Sequence, residues 1–217
     1  MSTKEKLIVY GVTLLLISLI GITTGLLILN IPEPMEYKGI TSKNSEIQGL
    51  YNTLQTLQTQ AITQKRELQN LAGSIKIHVY IMEKTGLGLE AATTMIQESR
   101  DRGIPIQIFL GLFDYESDFN VRAKNPESTA RGLGQFLDST ARWVAQERGV
   151  PYTYDMLDDP VYSIRHTAWY LEYLYKRHGS WPKALHGYGD QTESYSRIVI
   201  SRGEIYRKEL SKINKEE

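Results

Sequence analysis

Among the side chains able to do chemistry, Glu116 stands apart because of what precedes it. A run that opens at Pro105 and passes through Ile106, Ile108, Phe109, Leu112 and Phe113 to Glu116 is apolar on nearly every face of a helix, which predicts a buried helix. A carboxyl at the end of such a helix loses water and meets the partial negative charge of the helix C-terminus, and both effects disfavour its anion. A carboxyl that keeps its proton near neutral pH is suited to general acid catalysis. Taken alone, the residues favour the plainer reading of a surface Glu116 or one paired with Arg122, Lys124 or Arg131. Other chemistries find less support. Ser117 and Ser139 have no His and Asp at a recognisable motif spacing, which argues against a serine hydrolase. His78, His166, His178 and His186 do not cluster with carboxylates, so no metal site is expected and no cofactor is implied. Cysteine is absent, which excludes thiolate chemistry and a disulfide framework.

The elements that must position Glu116 are helical. From residue 74 to residue 214 apolar residues recur at helical spacing and strand-like alternation is scarce, predicting a compact all-α domain large enough to bury its own core. One helix can be bounded from local signals. Asp159 and Pro160 form an N-cap and first-turn pair, Lys176, Arg177 and His178 suit the negative end, and Gly179 supplies the stop. Val161, Ile164, Ala168, Leu171 and Tyr175 make one face of it, the pattern of core packing. Trp143, Trp169 and Trp181 read mostly as core, with room for one or two aromatic rings to stack on a ligand.

Upstream of the domain, residues 7–31 carry no charge and can cross a hydrocarbon core of roughly 30 Å, so residues 1–31 are expected to be a transmembrane anchor. Lys4 and Lys6 precede the segment while Glu33 and Glu36 follow it, which places the N-terminus inside and the rest outside the cell membrane. A cleaved signal peptide is the alternative, but the apolar run exceeds the usual ~7–15 residues and no small-x-small site follows. Residues 32–45, opened by Pro32 and Pro34, read as a linker, and residues 46–72 as a helical stalk ending at Gly73. Ile47, Leu50, Leu54, Leu57, Ala61, Gln64, Leu68 and Leu71 alternate steps of three and four, a coiled-coil seam that either pairs chains through residues 47–71 or lies against the domain. Lys plus Arg and Asp plus Glu both number 25, so no basic field favours nucleic acid.

The blocks around Glu116 resemble the lytic transglycosylase family, of SLT type and goose-lysozyme-like, across nearly the whole domain. Glu116-Ser117-Asp118-Phe119-Asn120 resembles its first motif, a catalytic Glu-Ser followed by an aromatic and Asn. Gly132-Leu133-Gly134-Gln135-Phe136 with Ser139-Thr140-Ala141 resembles the second, a Gly-Leu-x-Gln turn leading into a Thr-Ala helix start. Asp159-Pro160 through Ile164, with Tyr170-Leu171, resembles the next helix, and Ala184-Leu185-His186-Gly187-Tyr188-Gly189 stands in place of the third motif, Ala-x-x-x-Tyr-Asn. Gly134 replaces a residue that is commonly Met or larger, and Gly189 replaces Asn.

The resemblance implies a lysozyme-like all-α fold and an enzyme that cleaves the β-1,4 bond between N-acetylmuramic acid and N-acetylglucosamine in peptidoglycan, leaving 1,6-anhydro-muramic acid ends. It further implies that Glu116 is the acid and base, that Ser117 steadies the sugar or the helix end, that Gln135 lines the cleft, and that Tyr188 hydrogen-bonds Glu116. Hydrolytic glycosidases use two carboxyls, ~5–5.5 Å apart when retaining and ~6.5–9.5 Å apart when inverting. Asp114 and Asp118 would point away from Glu116 on a helix of ~3.6 residues per turn, and Asp190 reads as a solvated loop residue. A single carboxyl suits the lyase better. A hydrolytic muramidase and a non-catalytic glycan-binding assembly factor are the alternatives.

Overall fold

In the computed structural model the described residues are 43–189 and 192–213; the expected transmembrane segment, most of the linker and Asp190 lie outside them. Among the described residues no helix is long and apolar enough to cross a membrane. The chain divides into two units, residues 1–75 and residues 76–217.

Helix α1, Lys43–Thr85, runs through both units. It already includes the end of the expected linker and does not stop at Gly73. An interior glycine costs about 1 kcal/mol relative to Ala, too little to interrupt a helix this long, and left-handed backbone first appears at Gly86 (φ 69°). In the first unit Ile47, Leu50, Leu54, Leu57 and Leu71 are all exposed, at 49–62% of their surface.

The second unit is helical throughout, with isolated bridges joining Lys124, Arg131 and Phe136 as the β-structure among the described residues. After the end of α1 come α2 (Leu89–Asp101), α3 (Ile106–Ser117), α4 (Asp138–Arg148), a 3₁₀ turn (Tyr154–Asp158), α5 (Pro160–His178), α6 (Trp181–Tyr188) and α7 (Glu193–Ile213). The expected boundaries of α5 hold: Asp159 accepts from the Tyr162 amide at 2.7 Å, Pro160 opens the first turn, and Gly179 ends the helix at φ 75°. Ile164, Ala168 and Leu171 are buried as the periodicity requires, while Tyr175 is 38% exposed and stacks on Trp181 at 4.3 Å.

Two apolar clusters hold the domain. The larger surrounds α3, whose Phe109, Leu110, Leu112 and Phe113 are fully buried against Ile164, Leu171, Leu185 and Val199. Each such side chain contributes about 1.5–3 kcal/mol, so α3 is the most securely held element near Glu116. The smaller, Phe136, Ala141, Val144 and Leu157, seats the turn of the second motif. Helices α3 and α7 cross with backbones almost in contact. A Cβ at Gly111 would lie 2.3 Å from the Val199 carbonyl oxygen, and one at Gly203 would lie 2.5 Å from that of Gln107. Only glycine fits at either position, and the crossing brings the start of α7 over the end of α3.

Candidate active site

Glu116 occupies the last turn of α3 and is half-buried. The helix stops there because Asp118 and Phe119 both turn left-handed, at φ 49° and 58°. Such backbone costs roughly 1–2 kcal/mol per non-glycine residue. Local bonds offset it: the amides of Asp118 and Phe119 donate to the carbonyls of Asp114 and Phe113, and the Asn120 amide donates to that of Ser117 at 2.9 Å. The turn also sends the Phe119 ring into the core, edge-on to Tyr206 at 6.1 Å. Ser117 Oγ donates to the Phe113 carbonyl at 3.0 Å, so its hydroxyl steadies the helix end.

The second motif forms the facing wall. Gln135 is itself left-handed, at φ 47°, and its Nε2 donates to the carbonyls of Ala123 (3.1 Å) and Gly132 (2.9 Å), clamping the turn to the preceding loop. Arg131, almost fully buried, anchors the same turn through a bidentate pair with Asp158 at 2.6 Å and a further contact to Asp155. The hydrogen bonds it donates to Asp158 hold the guanidinium above its ordinary range, and Arg131 in return lowers the Asp158 carboxyl. Arg131 is thus committed to the turn. Between these walls lies an open groove of about 830 Å³ whose lining includes Glu116, Ser117, Gln135, Lys124, Asn125 and Arg202. Three of the four expected site residues therefore converge.

Asp114 and Asp118, expected to point away from Glu116, also line this groove. Asp118 has left the helix, so helical spacing no longer governs its direction. Asp114 is held by Arg202, which donates to its Oδ1 at 2.7 Å and to its carbonyl at 3.0 Å.

Tyr188 serves a different bond from the one expected. It ends α6 behind the second motif, its ring against Phe136 and Tyr170, and its hydroxyl donates to the Gly134 carbonyl at 2.8 Å. The phenol that donates to Glu116 Oε1 is Tyr195, in the first turns of α7. Tyr195 is 4% exposed, packs edge-on against Tyr115 at 5.2 Å, and is delivered by the glycine-paired crossing of α3 and α7. Burial first, and the Glu116 charge second, push both phenols far above the ordinary tyrosine range, so each remains a proton donor. In the sequence, Tyr195 is the polar tip of the stripe Tyr195, Val199, Gly203, Tyr206 and Leu210, and that is the signal from which it could have been found.

The two glycine departures have a steric account. A Cβ at Gly134 would stand 2.5 Å from Thr167 Oγ1 and 2.7 Å from the Tyr188 hydroxyl. A Cβ at Gly189 would stand 2.5 Å from the Tyr195 ring. Thr167 and Tyr188 fill the space beside Gly134, and Tyr195 fills that beside Gly189.

Residues 93–199 match the family model of the Transglycosylase SLT domain, a span that holds Glu116, Ser117, Gln135, Tyr188 and Tyr195. Among solved structures, an inactive mutant of the lytic transglycosylase Slt from Pseudomonas aeruginosa is similar in fold, with a TM-score of 0.50 at 22% identity. The match covers 55% of this chain and 24% of that one, so this chain spans about a quarter of its relative's length. No curated protein sequence matches the chain.

Proposed function

Because the chain belongs to the Transglycosylase SLT family through residues 93–199, we propose that it is a peptidoglycan lytic transglycosylase with Glu116 as acid and base. The observation that carries this reading is a half-buried Glu116 on a groove wall with the Tyr195 hydroxyl donating to it. In the first step Glu116 gives its proton to the glycosidic oxygen as the bond from that oxygen to the muramic acid anomeric carbon breaks. In the second, the Glu116 carboxylate takes the proton of the C6 hydroxyl while that oxygen bonds to the anomeric carbon. The proton returns to Glu116, a 1,6-anhydro ring is left, and no water is consumed. Tyr195 supports the second step, since a hydroxyl donor stabilises the carboxylate more than the acid.

A hydrolytic muramidase draws support from Asp118 and Glu127, exposed carboxylates in the same groove that could direct water. Mass spectrometry of digested sacculi distinguishes the two: anhydro ends are expected, and reducing ends would establish the hydrolase. Glu116→Gln is expected to lower cleavage by roughly 10²–10⁴-fold with folding intact. Activity within tenfold of the parent would remove Glu116 from the mechanism.

The anchor and stalk complete the proposal. Residues 7–31 would hold the protein in the cell membrane with its domain outside, which protease added to intact cells tests directly by digesting the domain or sparing it. The half-exposed seam of Ile47, Leu50, Leu54, Leu57 and Leu71 supports pairing with a second copy, with Gln64 setting the register. Sedimentation of the chain lacking residues 1–35 should give a dimer that Leu54→Lys reduces to a monomer.

A further inference from the structure

A second concavity, of about 510 Å³, is walled by the rings of Trp143, Tyr170 and Tyr173 and rimmed by Arg177, His178 and His186. The rings are ordered by one another: Trp143 meets Tyr173 edge-on at 5.2 Å, and Tyr170 lies nearly parallel to Tyr173. All three are only partly buried, with Trp143 and Tyr170 packed against the cluster of Phe136, Ala141, Val144 and Leu157. Arg177 reaches back to the Tyr173 hydroxyl at 3.3 Å, setting a cation beside the ring wall. None of the described residues lining this cleft is acidic. Partly exposed ring faces take the apolar faces of sugars, and an arginine flanked by imidazoles offers donors to carboxylates. A chain of side-chain contacts links this wall to the groove of Glu116, although the two linings share no residue. Tyr170 touches Tyr188 at 5.4 Å, Tyr188 bonds the Gly134 carbonyl, and the next residue, Gln135, lines the groove of Glu116.

We propose that this cleft is a binding subsite, remote from the bond that is cut, for a peptidoglycan strand whose stem peptides carry free carboxylates. The rings hold the sugars, and Arg177, His178 and His186 hold the acidic stem. The proposal rests on the reading of the domain as acting on peptidoglycan. It is tested in the full chain with Glu116→Gln, so that binding is measured without cleavage, by co-sedimentation with intact sacculi and with sacculi stripped of stem peptides. Arg177→Gln, His178→Gln and His186→Gln together change only partly or fully exposed side chains. Their combination is expected to weaken binding to intact sacculi about tenfold and to stripped sacculi less than about twofold. Unchanged binding to intact sacculi, an equal loss on both, or no binding by the Glu116→Gln parent would overturn the subsite. A chain with Glu116 present that releases no glycan fragments refutes the catalytic reading, whereas the binding comparison is read independently of cleavage.

Discussion

Tyr195→Phe tests the geometry at its most specific point. The substitution removes the hydroxyl that donates to Glu116 and keeps the ring against Tyr115 and Gly189. A bond between neutral groups is worth about 0.5–1.5 kcal/mol and one to an ionised group about 1.5–3 kcal/mol. Only the difference acts on kcat, because the acid form of Glu116 already enjoys the weaker bond before the first proton transfer. That difference, about 1–1.5 kcal/mol, corresponds to roughly 5- to 13-fold in rate. Glu116 is half-buried, so water replaces part of what is lost and the effect stays near the lower end of that range. Release of soluble fragments from purified sacculi gives kcat and KM. We expect kcat to fall roughly fivefold, KM to change little, and the limb on which activity declines as Glu116 ionises to move to higher pH, since the donor favoured the charged form. A lower Tm with kcat and pH profile unchanged would refute the reasoning and leave Tyr195 as packing alone.

Other consequences can be checked with the same assays. Tyr188→Phe breaks the bond to the Gly134 carbonyl and should cost about 1 kcal/mol of stability with a smaller loss of kcat than Tyr195→Phe; the reverse order in kcat would make Tyr188 the donor to Glu116. Gly134→Ala forces a Cβ against Thr167 and the Tyr188 hydroxyl, so both stability and turnover should drop, by about 1–3 kcal/mol for the former, and an unchanged Tm would show that the space is not needed. His166 is fully buried, and burial first and Arg148 second lower its pKa to about 4. The unfolded chain then takes up a proton near pH 6.5 that the folded chain refuses, so stability present above pH 6.5 should be lost between there and about pH 4, amounting to about 3 kcal/mol. His166→Gln should flatten that part of the Tm profile.

What was legible in the sequence was what local chemistry decides. The ends of α5 follow from Asp159, Pro160 and Gly179, each of which acts within one turn, and the burial of α3 follows from its apolar surface. Glu116, Ser117 and Gln135 come together because short motifs carry them. The misjudged features depend on longer range or on competition. Gly73 carries a small penalty that the rest of a continuous helix outweighs. Asp118 escapes the helical rule because the helix ends one residue earlier, in a left-handed turn that its side chain does not announce. Tyr195 was hidden most deeply, because its position over Glu116 depends on Gly111 and Gly203, two glycines far apart in sequence whose value appears only when α3 and α7 cross.

The same dependence limits what Gly134 and Gly189 can be replaced by in this fold. Taken singly, each replacement looks like the loss of a side chain from the site. In the fold each glycine faces a tyrosine: the Tyr188 hydroxyl occupies the space above Gly134, and the Tyr195 ring occupies the space beside Gly189. A larger residue at position 134 would expel the hydroxyl that braces the second-motif turn, and a larger one at 189 would push the Tyr195 ring away from Glu116. Restoring Asn at position 189 alone should slow the proposed glycan cleavage, because it would displace the donor to Glu116.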